Sequence, residues 1–189
     1  LIEEKDVELF GDDHETYTSN CVILGDRIVC GVRKSTDGQS SYTITIYDMA
    51  SGESKTSESI VGLFDTAEEG GWFYVNSICV NGEGDIYIGS DSEILVLSDS
   101  FVKKFTVSVD RWVTTMSSSP AGDVYVMSYF DEGSGIAKIN PETKSFDDPI
   151  YPGDNTRQLM FGDGYDLYVE LEDGIYGCTF TEDGVDSVM

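Results

Sequence analysis

Four times along the chain a tight turn runs into an alternating apolar strand, and this repetition constrains the fold more than any other feature. The copies read Gly25-Asp26-Arg27-Ile28-Val29-Cys30-Gly31, Gly84-Asp85-Ile86-Tyr87-Ile88-Gly89-Ser90, Gly122-Asp123-Val124-Tyr125-Val126-Met127-Ser128 and Tyr165-Asp166-Leu167-Tyr168-Val169-Glu170-Leu171. The Gly-Asp pair supplies a positive φ and a side chain that bonds its own backbone, which a hairpin turn needs. The runs after it are rich in tyrosine and β-branched residues, which suit a pleated, half-buried surface.

Each copy sits within the same order of four strands. First strands are expected at 20–24, 77–81, 114–118 and 158–161, and third strands at 42–48, 93–98, 135–140 and 174–180. More polar fourth strands close the units at 54–60, 102–107, 144–147 and 184–189, as exposed outer edges should. The anchor aspartates Asp26, Asp85, Asp123 and Asp166 are 59, 38 and 43 residues apart. Four-stranded units of about 40–50 residues are the spacing of propeller blades.

The expected fold is therefore all-β: a β-propeller of four-stranded antiparallel blades at 20–60, 72–107, 112–148 and 157–189. Residues 1–19 form a lead-in, with 5–10 as a candidate closing outer strand, and 61–71 form an acidic insertion. About four blades are present, either as part of a larger propeller or as an isolated ring. No run of ten or more residues carries apolar positions at helical spacing, and the best short helical turn is Phe64 to Glu69.

The run Gly122-Asp123-Val124-Tyr125-Val126, followed by Gly135-Ile136 and Ile139-Asn140-Pro141-Glu142-Thr143-Lys144, resembles blades of bacterial NHL-like, quinoprotein-like and sensor-type propellers. Asp48-Met49-Ala50-Ser51-Gly52-Glu53 is a looser copy of the same turn. The resemblance covers about residues 20–185 and implies the propeller region of a larger secreted or lipoprotein-type solute-binding protein. Those families carry six to eight blades, and the tryptophan motifs of WD40, kelch and quinoprotein repeats are absent, as is the sialidase aspartate box. Fold resemblance of this kind does not carry an activity with it.

Charge and composition narrow the function classes. The chain has 36 acidic and 11 basic residues and a formal charge of −25, which repels nucleic acid and anionic membranes. No stretch is long and apolar enough to span a membrane as a helix. The chain opens on Leu1 rather than Met, which is compatible with an exported protein from which a signal or lipid anchor has been removed. A secreted or cell-surface location is expected.

Few catalytic arrangements can be built. His14 is the single imidazole, so triads that need a positioned histidine base have only this polar lead-in to draw on. Four arginines are too few for a sialidase-like clamp, and Gly82-Glu83-Gly84 is a hairpin turn rather than a dinucleotide-binding loop. No carboxylate pair stands out for glycoside hydrolysis. The expectation is a non-enzyme without a cofactor. The acidic turns Asp163-Gly164-Tyr165-Asp166 and Glu182-Asp183-Gly184-Val185-Asp186 offer oxygen ligands and are candidate structural calcium sites. Cys21, Cys30, Cys79 and Cys178 each lie in an apolar run and are expected as buried thiols; whether Cys21 approaches Cys79 is open at this stage.

The remaining clue is geometric. In a propeller, the loops joining a fourth strand to the next first strand share one face with the loops joining second to third strands. Here the former hold Trp72 and Tyr74, then Asp110, Arg111 and Trp112, then Tyr151, Asp154 and Arg157. The latter hold Ser35 to Ser41, Asp91, and Tyr129, Phe130 and Asp131. Aromatic platforms beside carboxylates and arginines suit a carbohydrate, peptide or protein ligand. The competing reading is that the two tryptophans plug gaps between blades. Two other functions stay open: a structural or assembly domain of a larger secreted protein, with self-association through an exposed blade face, and a polysaccharide hydrolase or lyase.

Overall fold

The computed structural model describes residues 16–36, 39–66, 74–130, 133–150, 157–181 and 184–188. It contains sixteen β-strands and one 3-10 turn at Val61–Leu63, with no α-helix among the described residues. The strands form four antiparallel sheets of four, each in sequential order. The first holds β1 (Thr16–Leu24), β2 (Arg27–Thr36), β3 (Gln39–Asp48) and β4 (Ser54–Thr56). The second holds β5 (Ser77–Val80), β6 (Ile86–Gly89), β7 (Glu93–Leu97) and β8 (Lys103–Ser108). The third holds β9 (Thr115–Ser118), β10 (Val124–Phe130), β11 (Gly133–Asn140) and β12 (Ser145–Phe146). The fourth holds β13 (Gln158–Gly162), β14 (Tyr165–Leu171), β15 (Gly174–Thr181) and β16 (Gly184–Val188).

The first strand of each sheet lies against the first strand of the next: β1 on β5, β5 on β9, β9 on β13. Three apolar cores fill the three junctions. Val29, Ile44 and Ile46 meet Ile78, Ile86 and Leu95 between blades one and two. Tyr87, Ile94 and Val96 meet Val113, Met116 and Val126 between blades two and three. Met127 and Ile136 meet Leu159, Leu167 and Val169 between blades three and four. Blade two is covered on both faces, so β5, β6 and β7 are buried at every position. This is the pattern a sheet shows when both faces are packed.

The repeated turns carry the expected conformation in two forms. Gly25, Gly84, Gly122 and Gly164 all have positive φ. In blades one and four they belong to two-residue turns, closed by Leu24 opposite Arg27 and Gly162 opposite Tyr165. In blades two and three the Gly-Asp pair ends a five-residue loop, since Val80 pairs with Ile86 and Ser118 with Val124. There Asn81 Oδ1 accepts the Glu83 and Asp85 amides, and Ser119 Oγ accepts the Asp123 amide.

The third-to-fourth-strand turns repeat as well. Asp48 Oδ1 accepts the amides of Ala50 and Ser51, and Asn140 Oδ1 those of Glu142 and Thr143. Gly52 and Lys144, each four residues on, both take positive φ.

Two expectations need correcting. A helical turn lies at Val61–Leu63 and Phe64 is already extended at its end, so no turn starts at Phe64; residues 67–69 of the expected turn lie outside the described residues. Phe64 and Ile60 are instead buried in the first junction, where apolar burial outweighs local helical preference. The thiols are not all buried: Cys30, Cys79 and Cys178 are, but Cys21 is exposed. Cys21 sits directly opposite Cys30, on the side of blade one away from Cys79.

Candidate functional site

The loop joining blade two to blade three is a strap fixed at both ends. The Val109 amide donates to Ser92 O at 2.8 Å, and the Val113 amide to Ser90 O at 3.3 Å. Both acceptors belong to the loop between β6 and β7 of blade two. Between these anchors Asp110, Arg111 and Trp112 stand on the outer side.

Val113, at 0% exposure, fills the gap between the blades, and the neighbouring Gly89 gives it room. A Cβ on Gly89 would stand 2.8 Å from Val113 Cγ1, a separation that real side chains do not show. Trp112 is 50% exposed. The interblade plug is thus valine, and Trp112 is free of that duty.

Trp112 is nevertheless held. Its carbonyl accepts a hydrogen bond from the buried Ser128 hydroxyl at 3.2 Å. Its ring meets Tyr129 edge to face, with centroids 5.3 Å apart. The Arg111 guanidinium lies over the same Tyr129 ring at 5.7 Å. Among the described residues no carboxylate pairs with Arg111, in a chain where acids outnumber bases by more than three to one. Three residues expected at the site therefore converge on one corner of the loop face.

The preceding junction repeats the plan. The Asn76 amide donates to Gly89 O and the Thr114 amide to Met127 O, so the two residues are equivalent. Val75 then matches Val113, and Tyr74 matches Trp112. Val75 is buried and Tyr74 is 45% exposed. The Arg33 guanidinium lies 5.2 Å over the Tyr74 ring. Asn20 Nδ2 reaches the Val75 carbonyl, and Asn76 Nδ2 donates to Asp91 Oδ1 at 2.8 Å.

Of the other expected site residues, Arg157 turns to Glu172 of its own blade at 3.6 Å. Among the described residues no contact joins it to Trp112 or Tyr129. Trp72, Asp131, Tyr151 and Asp154 lie outside the described residues, as does His14. Among the described residues no three acidic, histidine or cysteine side chains gather as metal ligands. In the first of the two acidic turns, Asp166 Oδ2 accepts the Phe180 amide and the Asp163 carbonyl accepts the Tyr168 hydroxyl. The second turn falls partly outside the described residues.

Sequence reasoning missed Arg33 and Glu93. Glu93 opens β7 with a carboxylate that is 2% exposed. It accepts the Asp65 and Thr66 amides at 3.1 and 2.6 Å and the Thr66 hydroxyl at 2.5 Å. Three donors offset the burial of a charge. The stem of the 61–71 insertion is thereby pinned to blade two. Lys103 adds bonds to Leu63 O and Asp65.

The opposite face carries a cleft of about 630 Å³ between blades two and three. Its lining includes Asn81, Asp85, Tyr87, Lys104, Phe105 and Asp123. Asp85, Lys104 and Asp123 here are already matched. Lys104 bonds Asp85 at 2.5 Å and Lys138 bonds Asp123 at 2.9 Å. Burial, and then the Asp85 carboxylate, push the Tyr87 phenol up to about 12, so it stays protonated at neutral pH.

No protein-family model matches this chain, and no curated protein does. Solved structures do. The β-propeller domain of the Trilobed protease from Pyrococcus furiosus aligns with a TM-score of 0.59 at 10% identity, over 93% of this chain and 57% of that one. A protein of unknown function from Bacteroides caccae aligns at 0.56 and 15% identity, over 95% of this chain and 65% of that one. PorZ, a bacterial surface component of the type-IX secretion system of Porphyromonas gingivalis, aligns at 0.58 and 13%, over 84% of this chain and 25% of that one. At such identities the likeness shows the fold: an all-β chain of four propeller blades. The chain spans about a quarter to two thirds of the length of these neighbours.

Proposed function

We propose that the chain is a non-enzymatic binding module of a secreted or surface-tethered protein, and that it takes a carbohydrate, peptide or protein ligand at the Arg111–Trp112–Tyr129 corner of its loop face. The observation that carries this reading is the half-exposed indole of Trp112, packed edge to face on Tyr129 while Ser128 bonds the Trp112 backbone carbonyl and Val113 fills the interblade gap. Large aromatic side chains fixed in advance give contact area at little entropic cost. Arg111 adds donors for a carboxylate, hydroxyl or carbonyl. The likeness to a bacterial surface component supports the location.

The test is a glycan and peptide array probed with the wild-type chain and with Trp112→Ala. Loss of the array signal, with an unchanged melting temperature, is the expected result; truncating an anchor of this kind costs about 2 kcal/mol, or roughly 30-fold in affinity. Full retention of binding by Trp112→Ala would remove the site assignment.

A second reading, a structural or assembly domain, draws on blade four. Ile175 is 55% exposed and Tyr165 is also exposed, on the sheet that ends the described series. It predicts self-association in light scattering over a concentration series, and a monomer throughout would count against it.

A further inference from the structure

The first hairpin places two thiols face to face. Leu24 opposes Arg27 across the two-residue turn, followed by Ile23 and Ile28, Val22 and Val29, then Cys21 and Cys30. The pairing is regular over this stretch, because the register shift lies beyond it, between Thr18 and Asn20. Antiparallel pairs alternate between hydrogen-bonded and non-hydrogen-bonded, and a two-residue turn is closed by a bonded pair. Counting outward from the turn makes Cys21–Cys30 a non-bonded pair, the kind with Cα atoms about 4.5 Å apart and side chains drawn together. That separation falls inside the roughly 4.4–6.8 Å range of disulfides.

The two sulfurs differ in access. Cys30 is 1% exposed, whereas Cys21 is open to solvent. Burial, and then the adjacent Cys21 thiol, push the Cys30 thiol up to about 12. The other two cysteines are buried in different cores, Cys79 between blades two and three and Cys178 between blades three and four.

We propose that Cys21 and Cys30 form an oxidation site that closes into a cross-strand disulfide, with Cys21 as the entry and Cys30 as the resolving thiol. The oxidant is a disulfide donor such as glutathione disulfide. The Cys21 thiol loses its proton, and the thiolate attacks one donor sulfur, breaking the donor S–S bond and expelling one thiolate. The Cys30 thiol then loses its proton and attacks the Cys21 sulfur of the mixed disulfide, expelling the second. One S–S bond breaks and one forms. The two cysteines give up two electrons to the donor, whose two thiolates take up the two protons.

The crosslink secures an element that matters to the loop face. The β1–β2 hairpin carries Asn20, which holds the Val75 carbonyl, and Arg33, which lies over Tyr74. A one-residue slip of β1 would turn Val22, which packs against the core between blades one and two, to the other face, and a covalent bond at Cys21–Cys30 fixes the register.

Peptide mapping tests this on the full chain. The protein is exposed to glutathione disulfide while folded, alkylated and cut with trypsin. Cleavage after Arg27 separates the two cysteines, so the disulfide appears as peptide 6–27 joined to peptide 28–33. The expected result is that linked pair with a loss of two thiols per chain. Cys21→Ser, a change at an exposed position, should lose none, and Cys30→Ala should stop as a glutathione adduct on Cys21. A wild-type chain that accumulates the adduct without the linked peptides would overturn the proposal. So would linkage of Cys21 to Cys79 or Cys178.

Discussion

The turn face and the Arg111–Trp112–Tyr129 corner of the loop face use their polar groups in opposite ways. On the turn face polar groups are matched inside the protein: Lys104 with Asp85, Lys138 with Asp123, and the Asp48 and Asn140 side chains with the backbone of their own turns. On the loop face Val75 and Val113 complete the packing, which leaves Tyr74 and Trp112 half exposed beside Arg33 and Arg111. Blade geometry requires the first set of interactions. Arg111 and Trp112 lie outside the interblade packing, and loop surface of that kind is where recognition residues gather. Volume alone would point the wrong way, since the 630 Å³ cleft lies on the turn face, where Asp85, Lys104 and Asp123 are paired.

The largest expected effect comes from moving the strap that carries Trp112. Gly89→Val would drive a side chain into Val113, 2.8 Å from the new Cβ. It should cost about 2–3 kcal/mol in urea denaturation and weaken ligand binding as well. Equal stability would mean that the strap is not seated on Gly89.

Asp85→Ala on the turn face should cost about 1 kcal/mol, because the half-exposed Lys104 can regain water, and it should leave binding alone. A change in ligand affinity would show that the two faces are not independent. Lys144→Gly relieves a positive φ of 56° in a non-glycine residue and should raise stability by about 0.5–1 kcal/mol in the same assay. A loss would mean that the lysine side chain contributes more than the strain costs.

The smallest effect concerns acid. Hydrogen bonds from Lys103 and then Thr106 hold the Asp65 carboxyl below its ordinary 3.8. A depressed folded value stabilises above the unfolded value and is lost as pH falls through the folded one. Acid melts should therefore show a slightly shallower decline below about pH 4 for Asp65→Asn than for the wild type. Superimposable curves would remove the assignment.

Much of the fold could be read from the residues, because each blade carries a glycine at positive φ after its first strand, and blades one and three add an Asp or Asn that caps the turn after the third. The two widths of hairpin were harder to read. Gly25-Asp26 and Gly122-Asp123 look alike in sequence, yet one is a whole two-residue turn and the other ends a loop closed by Ser119. The corner at Arg111, Trp112 and Tyr129 follows from strand order alone, since equivalent loops must share a face. The role of Glu93 could not be found that way. Its partners are backbone amides of an insertion, and no side-chain pattern marks them. The Cys21–Cys30 pairing was not read from the sequence, because it depends on the width of the Gly25-Asp26 turn; with Leu24 opposite Arg27, counting three pairs outward reaches it.

The measurement that bears most directly on the account is calorimetric titration of the array ligand into the wild type, Trp112→Ala and Asp85→Ala. The account predicts roughly a 30-fold loss of affinity for Trp112→Ala and wild-type affinity for Asp85→Ala. Intact binding by Trp112→Ala together with a large loss in Asp85→Ala would place recognition in the turn-face cleft and contradict it.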